Sequence, residues 1–286
     1  MNNVGHSMKN ISVVVVVYNE EKRIETFIKS FLWSNDLIIV DKSSTDATRD
    51  IISKYPMVKM ITTDYSDTGD EIKYGIESAQ NTWVMTLTAS DIIHPNLVRK
   101  LTKLINDDDF TYDVIALPFA IYVFGIRDIK RSPWCAAHKE WMYKKHIVQT
   151  STVVHKEMFH KSKNIYVMPY SDDENLFHLT HETMESFMER HIRYTRIETN
   201  NYEDEKRALQ ASFKDFLNSV KEVCFKRKSF LKGWDGVALG LAYISYFILK
   251  FLFVWQKFRG HGVAEYQKIR SEILTLWDKK SEEIRK

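Results

Sequence analysis

Four short apolar runs, each followed by a helix-forming stretch, constrain this chain more than any other feature. Ile11–Val17 is seven residues, almost all β-branched, and Tyr18-Asn19-Glu20-Glu21 halts it. Such a run reads as a buried strand, and it is too short for a secretion-signal core. Ile24, Phe27, Ile28, Phe31 and Leu32 then recur at spacings of three and four, the pattern of an amphipathic helix. Leu37–Val40 is a second strand, ending at Asp41. Thr45 or Asp46 is placed to cap a helix running through Ile51 and Ile52, which Pro56 stops. Val58–Ile61 and Trp83–Leu87 supply two more strands, with a helix over Glu71–Gln80 between them and another from Pro95 to Leu104. This rhythm predicts an α/β fold with a mostly parallel sheet covered by helices on both faces.

In such sheets, ligands bind outside the carboxyl ends of the strands. Here those ends carry Tyr18-Asn19-Glu20, Asp41, Asp64 with Asp67, and Thr88 to Asp91. A single loop aspartate is an ordinary turn residue. Four polar clusters aligned by a parallel sheet point to a binding crevice. No G-x-G-x-x-G follows the first strand, and no G-x-x-x-x-G-K-[ST] occurs. A nucleotide in this crevice would be held by side chains, such as a carboxylate accepting from a base N–H.

The run Ser12-Val13-Val14-Val15-Val16-Val17-Tyr18-Asn19-Glu20-Glu21, with Ile38-Ile39-Val40-Asp41-Lys42-Ser43-Ser44-Thr45-Asp46-Ala47-Thr48, resembles the opening of family 2 inverting glycosyltransferases. The resemblance covers residues 11 to 105 well and continues more loosely to 255. It extends to the branch of bacterial lipopolysaccharide-core and surface-glycan transferases through Val154-His155-Lys156-Glu157, His178, Arg193-Tyr194-Thr195 and Asp235-Gly236. The resemblance implies a GT-A, Rossmann-like sheet flanked by helices. It implies a nucleotide-sugar donor and a glycan or lipid-linked acceptor. It places Asp41 on the nucleotide base and Tyr18, Asn19 and Glu20 around base and ribose. Asp67, Asp70 and Lys73 fall in a further donor-contacting loop and helix start.

The resemblance also implies a divalent cation, Mg²⁺ or Mn²⁺, held by a D-x-D motif. Here that motif reads Leu87-Thr88-Ala89-Ser90-Asp91, so Thr88 and Ser90 stand at the two aspartate positions and only Asp91 keeps a carboxylate. Hydroxyls are poor ligands for hard cations. Three readings follow: Asp91 holds the metal with help from diphosphate and water, Lys or Arg does the same electrostatic work without metal, or the protein binds without catalysing. Inverting transfer also needs a base for the acceptor hydroxyl. Glu157 and His155 hold the family position, with Asp172-Asp173-Glu174 as a further acidic loop. The candidate catalytic set is therefore Glu157, His155 and Asp91. His178 is expected to be packed beside the site, and no H-E-x-x-H motif supports a structural zinc.

The remainder is read from composition and pattern. With 41 basic and 38 acidic side chains, the chain is not a general nucleic-acid binder. Two cysteines, Cys135 and Cys224, exclude a disulfide scaffold and suit a reducing compartment. Asp113–Leu117 reads as a strand, and Phe119–Phe124 as core in preference to a pocket lining. From Glu182 to Phe230 the chain reads as helical, with Phe213, Phe216, Leu217, Val220 and Cys224 on one face. Residues 237–255 are apolar apart from Lys250, and Lys/Arg-rich segments flank them. A spanning helix needs about 20 mostly apolar residues. This tract therefore suits an interfacial helix on an anionic membrane, with Lys250 snorkelling, and also suits a soluble core, a homo-oligomer contact or a marginal single span.

The resulting domain plan is a tail over 1–10, a nucleotide-sugar half over 11–105, an acceptor half over 106–200 and a helical membrane-associating extension over 201–286. The expected protein is an inverting glycosyltransferase on the cytoplasmic face of the inner membrane. Its rivals are a catalytically inactive glycan- or nucleotide-binding protein and a nucleotidyltransferase. The nucleotidyltransferase lacks its Gly-rich basic loop here.

Overall fold

The computed structural model describes residues 11–64, 70–127, 130–134, 138–150, 158–260 and 262–284. The first half alternates as the apolar runs predict. The elements are β1 (Ile11–Val17), α1 (Ile24–Phe31), β2 (Leu37–Asp41), α2 (Thr48–Ser53), β3 (Lys59–Thr62), α3 (Asp70–Ser78) and β4 (Trp83–Leu87). A three-residue strand β5 (Asp91–Ile93) precedes α4 (Pro95–Ile105). Pro95 opens α4, and the His94 ring caps it by accepting from Asn96 N at 3.1 Å.

The later strands are β6 (Val114–Val123), β7 (His138–Lys144), the short pair β8 (Gln149–Thr150) and β9 (Met158–Phe159), β10 (Ile165–Val167) and β11 (Leu176–Thr180). The main sheet runs β3-β2-β1-β4-β7-β6-β11-β5, and β10 also pairs with β6. The pairings among β1 to β4 are all parallel, as are β6–β10 and β6–β11. The pairings β4–β7, β6–β7 and β5–β11 are antiparallel. The sheet is thus mixed, with its first four strands forming the Rossmann-like half.

Strand alternation builds two cores. Val13, Val15 and Val17 of β1 face Phe27, Ile28 and Phe31 of α1 and Leu97 and Leu101 of α4. Val14 faces the other way, with Ile38, Val40, Ile76 of α3 and Ala79 just beyond it. Both sheet faces are therefore covered, which is why the strands carry no polar alternation. Phe119, Ala120 and Val123 are buried, so the Phe119–Phe124 run extends β6 as core rather than lining an open pocket.

The C-terminal third is helical: α5 (Met184–Asn200), α6 (Glu205–Lys221), α7 (Trp234–Arg259) and α8 (Val263–Ile284). A π-helical turn at Glu222–Lys226 and a 3-10 turn at Ser229–Lys232 link α6 to α7. The backbone approaches closely at this link. A Cβ on Gly236 would lie 1.8 Å from the Ser229 carbonyl oxygen, so only glycine fits.

Two expectations for these helices change. The α6 residues Phe213 and Leu217 are exposed, while Ala208, Ser212 and Ser219 are buried; Phe213 still meets α7 at one edge, its ring centre 5.8 Å from that of Phe251. Lys250 does not snorkel. Its ammonium lies 3.3 Å from Glu198 Oε2 and 3.1 Å from Asp215 Oδ2, with the lysine side chain 14% exposed. Two carboxylates on neighbouring helices hold it better than a long reach to solvent would.

Candidate active site

The parallel register brings the predicted strand ends together. Val17 pairs with Asp41, Asp41 with Thr62, and Val15 with Leu87, so the loops after β1, β2, β3 and β4 open on one edge of the sheet. The first two loops interlock. Asn19 N donates to Ser44 Oγ at 2.9 Å, Thr45 N to Asn19 Oδ1 at 2.8 Å, and Glu20 N to Thr48 Oγ1 at 2.7 Å. The amide of Glu21 finds Asp46 Oδ2 at 3.1 Å, and Glu21 Oε2 accepts from Ala47 N at 3.1 Å. Each loop thereby satisfies the helix-start amides of its neighbour. α2 begins at Thr48, and Asp46 Oδ1 accepts from the Thr48 amide at 3.0 Å. Asn19, Ser43 and His181 have φ of 55°, 54° and 53°, left-handed values concentrated at these strand ends.

Asp41 is fully buried. Its carboxylate accepts from Ser44 N at 3.3 and 3.2 Å and lies 3.7 Å from Arg49 Nε. These contacts close the turn after β2. Tyr18 is half-buried at the end of β1, and Asn19 is exposed. Glu20 pairs with Arg23, whose Nε donates to Glu20 Oε2 at 2.7 Å. Lys73 stands apart, half-exposed and 3.9 Å from Glu77 on its own helix. Asp64 is exposed just beyond β3. Asp67, His155 and Glu157 lie outside the described residues. In the further acidic loop, Asp172 pairs with Arg127 and Glu174 with Lys100.

The degenerate metal motif has specific partners. Asp91 is wholly buried; its Oδ2 accepts from Thr88 N at 2.7 Å and Thr88 Oγ1 at 3.0 Å. Its Oδ1 meets His178 Nδ1 at 2.7 Å across the β5–β11 pairing. Ser90 Oγ accepts from Arg23 Nη1 at 2.9 Å. Both oxygens of the one remaining carboxylate are thus engaged, and the hydroxyl at the second motif position already holds a cationic side chain. Among the described residues, no cluster of three His, Cys, Asp or Glu offers a metal site. This donor set does not fit Mg²⁺ or Mn²⁺, which seek accessible carboxylate oxygens.

Cations surround the motif instead. The Lys139 ammonium lies 5.8 Å from the Phe119 ring centre and 5.6 Å from that of Trp141. Burial lowers its pKa, and the Asp91 charge opposes that shift. Arg190, from α5, donates to Thr180 Oγ1 at 3.0 Å. Burial lowers its pKa too, with Arg23 and Arg193 adding repulsion and Tyr194 and Glu20 opposing. His181 is held down at about 3, first by burial and then by the charges of His191, Arg190, His178 and Arg23. It is a neutral imidazole packed 4.9 Å from the Phe187 ring, with no hydrogen-bond partner for Nδ1.

Residues 12–162, more than half of the chain, match the family model described as Glycosyl transferase family 2. The chain belongs to that family. Among solved structures, S. aureus TarS 1-349 shares 15% identity, with 88% of this chain and 92% of that one covered and a TM-score of 0.44. TarS 1-349 in complex with UDP-GlcNAc shares 18% identity, covers 84% and 81%, and gives 0.47. Glucosyl-3-phosphoglycerate synthase from Mycobacterium tuberculosis, in complex with Mn²⁺, UDP and glucosyl-3-phosphoglycerate, shares 15%, covers 51% and 64%, and gives 0.36. At these values the superpositions assign no donor, metal or acceptor.

The sequence pattern located the Thr88–Asp91 motif, inside the matched residues, and His178, beyond them. It missed Arg23 and Arg190. Arg23 follows Glu20 by three residues and reads as an ordinary helix-surface ion pair. Arg190 precedes Arg193-Tyr194 by one helical turn, and that spacing was the available signal.

Proposed function

We propose that this chain is an inverting glycosyltransferase that passes a sugar from a nucleotide-diphospho-sugar to a hydroxyl of a surface glycan or glycolipid. The observation that carries this reading is the alignment of four parallel strand ends on one polar edge, in a chain matched to family 2 over residues 12–162. In the proposed division of labour, residues 11–105 hold the donor and 106–200 the acceptor. Tyr18, Asn19 and Glu20 border the nucleoside, and Asp41 anchors the turn against which the base would lie. Glu157 is our choice of base, with His155 beside it in sequence. Inversion follows from a single displacement at the anomeric carbon, with the base taking the acceptor proton as that oxygen attacks. Calorimetry against UDP-, GDP- and CDP-sugars tests the reading. Binding of at least one is expected at millimolar concentration or below, and no binding to any would refute it.

The helical extension supports a place for this chemistry. α7 has 26 residues and is long and apolar enough to cross a membrane; 22% of its most apolar stretch is buried. Its outer side exposes Trp234, Leu241, Ile248, Leu252 and Trp255, and Phe213 and Leu217 of α6 are exposed as well. Lys226, Arg227, Lys228 and Lys232 lie just before it. Apolar area bordered by basic side chains suits docking on the anionic, cytoplasmic leaflet beside a lipid-linked acceptor. In vesicle sedimentation, the protein is expected to pellet with anionic vesicles at low salt, and Leu241→Ser with Leu252→Ser to weaken this. Protein that stays in the supernatant would refute the docking.

A further inference from the structure

We infer that Arg23 and Arg190 form the diphosphate-binding pair of this site, standing in for the divalent cation that the altered motif does not fit. The inference rests on the glycosyltransferase reading and deepens it by naming how the leaving group is held.

Position is the first argument. Arg23 Nη1 donates to Ser90 Oγ at 2.9 Å, at the second position of the motif. Leu179 N donates to Ser90 O at 2.8 Å, so Thr180, which receives Arg190 at 3.0 Å, follows directly along β11. The two guanidiniums therefore reach the same strand ends, one from α1's start and one from α5. A dication on the Ser90 hydroxyl would sit against the guanidinium already bound there.

Charge is the second argument. Arg23 is 20% exposed, and Glu20 is the carboxylate paired with it. Arg190 is half-buried, and among the described residues no carboxylate lies within ion-pair distance of it. Asp91 is taken up by Thr88 and His178, so Glu20 is the one carboxylate ion-paired with either guanidinium among the described residues, which leaves a local positive surplus. Buried charge is costly without a partner, and an anion supplies one. His181, 7% exposed and with Nδ1 unpartnered, lies in the same positive field, which opposes its protonation.

Chemistry is the third argument. In the transfer, the bond between the anomeric carbon and the β-phosphate oxygen breaks, and its electron pair stays on that oxygen. A bond forms from the acceptor oxygen to the anomeric carbon, and the acceptor proton goes to the general base. The nucleoside diphosphate leaves with one more negative charge than it carried as the sugar ester. Guanidiniums fork onto phosphate oxygens, stay charged at every working pH and require no metal. Held in place beforehand, they stabilise charge where it develops.

The test is calorimetry on the full chain in excess EDTA and then with Mn²⁺, using UDP, GDP, CDP and inorganic pyrophosphate as probes. The variants are Arg23→Gln, Arg190→Gln and the charge-preserving Arg190→Lys, each checked for folding by thermal melt. We expect one nucleoside diphosphate to bind in EDTA. Each Gln variant should weaken it by about tenfold or more, with Arg190→Lys intermediate and the matching nucleoside nearly unaffected. Binding that appears only with Mn²⁺ overturns the inference and leaves the glycosyltransferase reading intact. So do folded Gln variants that bind as tightly as the parent. If pyrophosphate binds and loses affinity in the Gln variants while no nucleotide binds, the anion site stands and the glycosyltransferase reading falls. If no probe binds, both fall.

Discussion

Replacing Asp91 separates a structural carboxylate from a metal ligand. Its two oxygens receive Thr88 N at 2.7 Å, Thr88 Oγ1 at 3.0 Å and His178 Nδ1 at 2.7 Å, in a place with no solvent exposure. Asp91→Ala strands the Thr88 amide and removes the partner of His178. A stranded buried donor costs about 1–3 kcal/mol and a lost hydrogen bond to a charged group about 1.5–3. Together these give a loss of about 4 kcal/mol, or about 10 °C in melting temperature for a chain of this size. Asp91→Asn keeps one oxygen for Thr88 and presents an amide N–H to His178, whose Nδ1 then accepts. Its cost should be about 1 kcal/mol, because the lost ionic character is offset by removal of a buried charge. Thermal melts in EDTA, followed by circular dichroism, make the comparison. A carboxylate reserved for a cation predicts the opposite order, since removing it relieves the apo protein. An Asp91→Ala variant that melts with its parent in EDTA would refute the structural role argued here.

Three further outcomes follow from the packing. Lys250→Met should destabilise by about 2–3 kcal/mol in chemical denaturation, because Glu198 and Asp215 lose their shared cation; Asp215 is 39% exposed, which keeps the cost below that of a fully buried pair. An unchanged midpoint would return Lys250 to a solvated role. Gly75→Ala would place a Cβ 2.3 Å from Val14 Cγ1 and 3.1 Å from Val40 Cγ2, so α3 must lift from the sheet at about 1–3 kcal/mol, and adding Val14→Ala should recover part of that in a double-mutant cycle. His181 titrates at about 3 when folded and near 6.5 when unfolded, so its contribution is complete above about pH 6.5 and is lost as pH falls toward 3. His181→Gln should therefore flatten the stability profile between about pH 6.5 and 5, and an unchanged slope would refute it.

β1, β2 and β4 were legible because each is a mostly apolar run closed by polar turn residues. Both faces of each are buried, so composition alone marks them, whereas β3 at the sheet edge is largely exposed. β5 was hidden because Asp91-Ile92-Ile93 is only three residues long and opens with a charge. Its partner β11 lies more than eighty residues further on, and local pattern carries no record of such pairing. The same distance hid the His178 contact that decides what Asp91 can do, although the histidine itself was placed near the site. Arg23 and Arg190 were hidden differently. Each looks like a solvated helix residue until the strand ends bring Ser90 and Thr180 beneath them. In α6, the large apolar residues suggested the packing face, yet Phe213 and Leu217 stay exposed. Ala208, Ser212 and Ser219 are the α6 side chains that are buried, and Phe213 reaches α7 only at an edge, beside Phe251.

The helical extension belongs to the site's architecture as well as to its surroundings. Ser229 Oγ donates to Arg131 O at 2.7 Å, tying the turn before α7 to the loop after β6. Trp134 stacks edge-on against Phe187 of α5 and Tyr243 of α7, with ring centres 6.2 and 5.4 Å apart. His191 packs 4.9 Å from both His181 and Tyr246, and Lys257 caps the end of α5 through Thr199 O and Asn200 O, each at 3.0 Å. α5 is thus clamped between the strand ends and α7 along its length, and α5 carries Arg190. Deleting residues 237–286 would uncover Phe187 and His191 and release Arg190, so loss of activity in such a truncation says nothing about membranes. Substitutions confined to the outer side of α7, such as Leu241→Ser at a side chain 63% exposed, leave the clamp untouched. They should reduce vesicle binding while nucleotide affinity in detergent-free solution stays unchanged. A parallel fall in nucleotide affinity would show that this side of α7 holds the site together rather than meeting lipid.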